Sequence, residues 1–198
     1  MSVVPEAVVI LAGGTAVRLG GVSKPDYKVG ARRLIDIVFD ELDTAGFSGI
    51  PVVVAPSKLD VRGGVRLTLE DPPHGGPLAG VAAGVAALSD LPDDAIVGLM
   101  TCDAPLSPRL WGRLCAQLRE FEAAVPVSAD EEAWPQFLHG CYRLGVLRSR
   151  PSARNTSIKR GFADVLAAKV PDVERFCIDV DTPEDARELA KRLGEGTA

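Results

Sequence analysis

Two patterns alternate along the chain. Val8 to Leu11 and Ile50 to Ala55 are short, nearly continuous apolar runs rich in β-branched residues, as expected of strands buried on both faces of a parallel sheet. Between them, residues 31–46 place Ile35, Val38, Phe39 and Leu42 at i, i+3, i+4 and i+7, the stripe of an amphipathic helix that Gly46 can close. Further strands are expected at Arg66 to Leu69, Ala95 to Thr101, Phe137 to Tyr142 and Glu174 to Ile178. Further helices are expected at Leu78 to Leu88, Pro108 to Phe121, Ser157 to Ala168 and Glu184 to Leu193. This alternation predicts an α/β fold, a doubly wound and mostly parallel sheet with helices on both faces. No internal repeat, low-complexity tract or long linker interrupts it, so one domain over 1–198 is expected. The pattern is weakest at 144–160, polar and basic with Pro151, a stretch read as a mobile segment over the site.

Composition removes alternatives without changing that picture. With 198 residues, 46% hydrophobic and 25% charged, the chain can bury a core and matches no disordered class. A net charge of -5 argues against a general nucleic-acid binder, which needs a basic surface, yet permits one local basic pocket. The first residues lack a basic n-region and a small-residue cleavage site, and their apolar run is far short of the roughly 18 to 20 residues that span a bilayer. A cytoplasmic protein without a membrane partner is expected. Cys102, Cys115, Cys141 and Cys177 show no C-x-x-C spacing, which reads as four reduced, mostly buried thiols and signals neither a zinc site nor a redox pair.

Candidate chemistry sits where strands end, because open α/β sheets bind ligands beyond the carboxyl ends of their strands. After the first strand, "LAGGTAVRLGGVSKP" (11–25) holds Gly13, Gly14, Gly20 and Gly21, with Arg18 and Lys24 as its only charges. It matches neither G-x-G-x-x-G nor G-x-x-x-x-G-K-[ST]. Consecutive backbone N–H groups in such a loop can nest an anion, and Arg18 and Lys24 add a fork and a point charge for phosphates. After the third strand, Gly75, Gly76 and Gly80 let the chain pass close under a flat ligand, and Asp71 offers a carboxylate beside it. Asp103 follows the strand ending at Thr101, although an aspartate in that place is more often a turn former or helix cap than a catalyst. In "DVDTPEDA", Thr182 can cap a helix with Pro183 at its first position, preceded by Asp179 and Asp181. His74 and His139 read as local hydrogen-bonding or packing residues. One anion loop with two cations and several carboxylates suits a nucleoside triphosphate with Mg²⁺, since magnesium takes one or two carboxylates together with water and phosphate oxygens.

"LAGGTAVRLGGVSKP", "GPLAGVAAGV", "TCDAP", "PQFLHGCYR" and "DVDTPED" occur in the order and spacing of the molybdenum cofactor guanylyltransferases. In these motifs the chain resembles the MobA-like branch of the glycosyltransferase-A nucleotidyltransferases from about Val8 to about Leu193. The resemblance implies a Rossmann-like, glycosyltransferase-A type fold and transfer of GMP from GTP to the phosphate of molybdopterin cofactor, with Mg²⁺. It also implies that Leu11, Ala12, Gly13 and Gly14 line the guanine and ribose side and that Arg18 and Lys24 hold triphosphate oxygens. Gly76, Pro77 and Leu78 would belong to the nucleotide site, and Asp71 would contact the nucleoside. Asp103 would ligate Mg²⁺, and Asp181, or Asp179 in its place, would stand near metal and acceptor. Partners are then GTP, a phosphorylated small-molecule acceptor and proteins of molybdoenzyme maturation, with no signal of an oligomeric state. Three departures stand out: Ser23 replaces the family's aspartate before the lysine, Pro25 follows it, and His74 lies in a longer turn. The competing readings are a sugar-phosphate or cytidylyl-type nucleotidyltransferase and a non-catalytic nucleotide-binding relative.

Overall fold

The computed structural model describes residues 4–13, 15–16, 22–70, 75–128, 134–150 and 156–194. The elements run, in chain order, β1 (Ala7–Leu11), β2 (Thr15–Ala16), β3 (Val22–Ser23), β4 (Lys28–Val29), β5 (Arg32–Arg33), α1 (Leu34–Thr44), β6 (Ile50–Val54), β7 (Arg66–Thr68), α2 (Pro77–Ala86) and β8 (Ile96–Thr101). They continue with α3 (Trp111–Gln117), β9 (Ala123–Ser128), β10 (Cys141–Arg143), α4 (Leu144–Arg148), α5 (Ile158–Gly161), β11 (Ala167–Asp172) and α6 (Pro183–Arg192).

Seven strands form one sheet in the order β11-β9-β10-β8-β1-β6-β7. β1 pairs in parallel with both β6 and β8, β6 with β7, and β9 with β11; β10 runs antiparallel between β8 and β9. The chain leaves β1 toward one edge and, after β7, returns to the other side of β1 at β8. That reversal opens a crevice beyond the carboxyl ends of β1 and β8, the place where such sheets take ligands.

Side chains of β1 alternate between two buried layers. Val8 and Ile10 join Leu34 and Val38 of α1, Trp111 and Leu114 of α3 and Leu189 of α6 on one face. Ala7 and Val9 join Leu78, Val81 and Val85 of α2, Leu147 of α4 and Phe162 on the other. Burial on both faces explains why the central strands read as continuous apolar runs. All four cysteines are free and buried, and among the described residues no helix is long and apolar enough to cross a membrane.

The second half departs from the expected elements. The helix expected over 108–121 begins as a 3₁₀ turn, Ser107–Leu110, and is helical only to Gln117. β9 was not anticipated. Phe137–His139 is a 3₁₀ turn and only Cys141–Arg143 is strand. Of the helix expected at 157–168, Ile158–Gly161 is helical, and residues 167–172 form β11 instead. The strand expected at 174–178 is an irregular connection in which Arg175 has φ 56°. Asp172 holds it there, its carboxylate accepting from Phe176 N at 2.8 Å and Cys177 N at 2.9 Å. β11 buries Ala168, Val170 and Asp172 and exposes Lys169 and Pro171, a period-2 pattern whose proline is tolerated because the strand lies at the sheet edge. The weak stretch at 144–160 contains α4 and α5, while 151–155 lie outside the described residues.

α2 lies tight against the sheet because it is made of small residues. A Cβ placed on Gly84 would come 2.3 Å from Val9 Cγ1 and 3.1 Å from Val54 Cγ2, whereas one on Gly63 meets nothing within 4 Å. Gly84→Ala is therefore expected to lower stability by about 1–3 kcal/mol through overpacking, despite alanine's better helix propensity. Gly63→Ala should leave the urea midpoint close to that of the parent chain; equal midpoints for the two variants would refute the packing argument.

Candidate functional site at the carboxyl edge of the sheet

At the end of β1 the backbone stays tied to its neighbours. Ala12 N donates to Val54 O at 3.0 Å, and Leu11 O accepts from Cys102 N at 2.9 Å, which locks the first residues after β1 and β8 side by side. The β2–β3 hairpin sets Ser23 opposite Thr15. A 3₁₀ turn, Lys24–Asp26, follows with Pro25 buried at its start, so the backbone of Lys24 is anchored while its long side chain is directed to the strand ends.

Lys24 bridges two carboxylates there. Its ammonium contacts Asp103 Oδ2 and lies 2.6 Å from Asp181 Oδ1, a residue 157 positions away. Burial on its own would lower the lysine's pKa; the hydrogen bonds to Asp103 and Asp181 outweigh it and raise the value, so the ammonium is charged throughout the neutral range. Asp103 Oδ1 is buried and has no hydrogen-bond partner. A turn-forming or capping aspartate places an oxygen on a backbone N–H, which Asp103 does not.

The backbone of Asp103 also gathers the last motif. Asp103 O accepts from Val180 N at 2.9 Å, which sets Asp179 and Asp181 on either side of the contact. Thr182 caps α6 as expected, with a reciprocal bond to Asp185; the Asp185 carboxylate also accepts from Asp181 N at 3.1 Å. Asp179 is pushed up to about 6 by burial and then by the charges of Asp103, Asp181 and Asp185, against the opposing pull of Lys24. His139 Nε2 lies 4.0 Å from Asp179 Oδ1. Burial drives His139 down to about 4, so it is a neutral imidazole at pH 7, and its Nδ1 has no partner.

Lys24 and Asp103 line a cavity of about 680 Å³, within the range of small-ligand sites, whereas Asp179, Asp181 and His139 are not among its lining residues. Of the residues singled out in the sequence, Leu11, Gly13, Lys24, Gly76, Pro77, Gly80 and Asp103 line it. Ala12 and Leu78 lie behind its wall, 2% and 1% exposed and packed into the core. Gly14, Arg18, Asp71 and His74 fall outside the described residues. Val54, Pro56, Leu69, Glu70, Thr101 and Leu138 also line the cavity and were not singled out; most sit at or just past a strand end, a signal that could have found them. Gly76, with φ 88° and ψ 174°, occupies a region open essentially to glycine alone, and this lets α2 start flush with the cavity wall. The site is thus an apolar slot at one end with a cation and carboxylates at the other.

A hard divalent cation fits the donor set. Asp103 offers an unpartnered buried oxygen and Asp181 a half-exposed carboxylate. Among the described residues no group of three or more His, Cys, Asp or Glu side chains is arranged to hold a metal. Such a cation would complete its shell from substrate oxygens and water, as magnesium commonly does.

With this geometry established, similarity to known proteins can be weighed. The chain is 34% identical over 128 residues to the molybdenum cofactor guanylyltransferase of Vibrio atlanticus, a match covering 63% of this chain and 62% of that protein. It is 27% identical over 192 residues to the protein of the same name from Shewanella piezotolerans, covering 93% and 92%. Its fold matches the crystal structure of molybdopterin-guanine dinucleotide biosynthesis protein A from Archaeoglobus fulgidus with a TM-score of 0.68 at 19% identity, over 94% of this chain and 99% of that one. The family model of the MobA-like NTP transferase domain matches residues 8–173, the span that runs from β1 through β11 and carries the glycine loop, Lys24 and Asp103. The chain therefore belongs to the MobA-like NTP transferases and is a nucleotidyltransferase.

Proposed function

We propose that the protein transfers GMP from GTP to the terminal phosphate of molybdopterin cofactor and releases pyrophosphate. The observation that carries this reading is the Lys24 ammonium held between Asp103 and Asp181 at the mouth of an apolar cavity; the names of the curated relatives support the choice of base and acceptor. The apolar slot formed by Leu11, Val54, Pro56, Leu69 and Pro77 takes the base. The family resemblance would set Leu11 to Gly14 along the guanine and ribose, Asp71 at the nucleoside, and Arg18 with Lys24 on the triphosphate.

A phosphate monoester has its second pKa near 6, so the attacking oxygen is largely ionised at neutral pH and no general base is needed. That oxygen forms a bond to the α-phosphorus as the bond to the bridging oxygen breaks, and pyrophosphate carries the electron pair away. Lys24, charged throughout the neutral range, supplies positive charge where negative charge accumulates on the transferring and departing groups. The bond from Val180 N to Asp103 O holds the acidic segment in place beside Asp103. A divalent cation held by Asp103 and Asp181, read as Mg²⁺, supplies electrophilic stabilisation of the phosphoryl oxygens when bound. The four free thiols agree with placement in a reducing cytoplasm.

Asp103→Asn should cut kcat/KM for pyrophosphate release by about 100-fold or more, as expected for loss of preorganised electrostatic stabilisation, while the melting temperature changes little. A turn former would tolerate asparagine, so near-normal turnover in this variant would refute the assignment. In the same assay GTP should exceed CTP, ATP and UTP by about tenfold to several hundredfold, the discrimination expected from one or a few unpaired hydrogen bonds. Pyrophosphate release should depend on added molybdopterin; a CTP preference, or equal release with an unrelated sugar phosphate, would reassign base or acceptor.

A further inference from the structure

Lys24 occupies one oxygen of each carboxylate that a divalent cation would use. We propose that the ammonium and the cation are alternative occupants of the Asp103–Asp181 pair, exchanged when a triphosphate gives Lys24 a new anionic partner. This inference rests on the nucleotidyl-transfer reading above and adds to it a coupling between cation and nucleotide binding.

The geometry makes the two occupants exclusive. Lys24 Nζ touches Asp103 Oδ2 and Asp181 Oδ1 at once. A dication bound to the same carboxylates would lie within a few ångströms of the ammonium. The Lys24 and Asp103 side chains are 18% and 16% exposed, so water and salt screen that repulsion poorly.

Exchange is also the cheaper route for the carboxylates. If Lys24 simply left, Asp103 and Asp181 would face each other with Asp179 nearby and no cation between them. Asp103 Oδ1, buried and unpartnered, is a further oxygen that a metal can use and that Lys24 does not. Only the lysine side chain has to move: its backbone is pinned by buried Pro25 and by the Tyr27 N bond to Lys24 O at 3.2 Å, and the four-carbon stem is flexible. Because coupling is reciprocal, a nucleotide that draws Lys24 away must strengthen cation binding, and the cation must strengthen nucleotide binding.

Mn²⁺ titrated into the nucleotide-free protein, with free aqua-ion followed by electron paramagnetic resonance, tests this directly. Lys24→Met should bind Mn²⁺ at least about tenfold more tightly than the parent chain, a coupling of ordinary size, and Lys24→Gln should behave alike. Lys24→Met combined with Asp103→Asn should lose the gain. Lys28→Met, which removes one positive charge from an exposed position on β4, should bind as the parent does. Unchanged affinity in both Lys24 variants, or an equal gain in Lys28→Met, would overturn the exchange. The functional reading is judged separately: GTP-dependent pyrophosphate release by the parent chain upholds it whatever the Mn²⁺ result, and a Mn²⁺ gain without use of any triphosphate would support competition between Lys24 and the cation while overturning that reading and the triphosphate trigger that rests on it.

Discussion

Like charges collected at one edge of a sheet need a counter-charge, and in this protein that requirement falls on Lys24. Asp103, Asp179 and Asp181 converge because Asp103 O accepts from Val180 N, and burial together with the neighbouring carboxylates raises the pKa of Asp179. One ammonium spans Asp103 and Asp181, the latter 157 positions from Lys24 in sequence. The tie joins the loop after β1, the turn after β8 and the approach to α6, segments that share no secondary structure. The placement of the Lys24 ammonium at the cavity mouth in the ligand-free site depends on it.

The topology makes that convergence possible. Parallel pairing of β1 with β6 and with β8 lines up three carboxyl ends, and the reversal of direction between β1 and β8 leaves space above them. The short antiparallel β10 inserts the Phe137–His139 turn at the same edge, which brings Leu138 to the cavity wall and His139 close to Asp179. On the opposite flank α2 reaches the wall only because Gly76, Gly80 and Gly84 allow its axis to approach the sheet. The apolar slot and the charged end therefore belong to different halves of the sheet, joined at the central strand.

Among the described residues, three buried polar atoms at this edge have no hydrogen-bond partner. Thr101 Oγ1, Asp103 Oδ1 and His139 Nδ1 are buried without partners, at positions that line the cavity or adjoin it. Buried polar atoms without partners cost free energy and call for a reason; a site that completes its hydrogen bonds with a ligand provides one. Away from the site buried Glu41 is satisfied by Arg109 at 2.7 and 2.8 Å through two parallel bonds, while Ser107 Oγ and Trp111 Nε1 are buried without partners.

Local pattern alone determined β1, α1, β6, α2, β8 and α6, because their apolar spacing, caps and small residues report the face each residue must bury. It also placed Lys24 and Asp103 at strand ends, since residue order carries the carboxyl-edge rule. Tertiary structure decided the rest. β11 arises at 167–172 because β9 is present to pair with it, and the apolar residues at 173 and 178 stay outside the sheet because Asp172 captures the following backbone. Ala12 and Leu78 fall behind the wall while Glu70 and Leu138 reach it, a matter of side-chain direction that spacing does not encode. The Lys24 bridge to Asp181 belongs wholly to the fold: an ion pair is set by distance in space, and no pattern within a sequence window reports contact between residues so far apart.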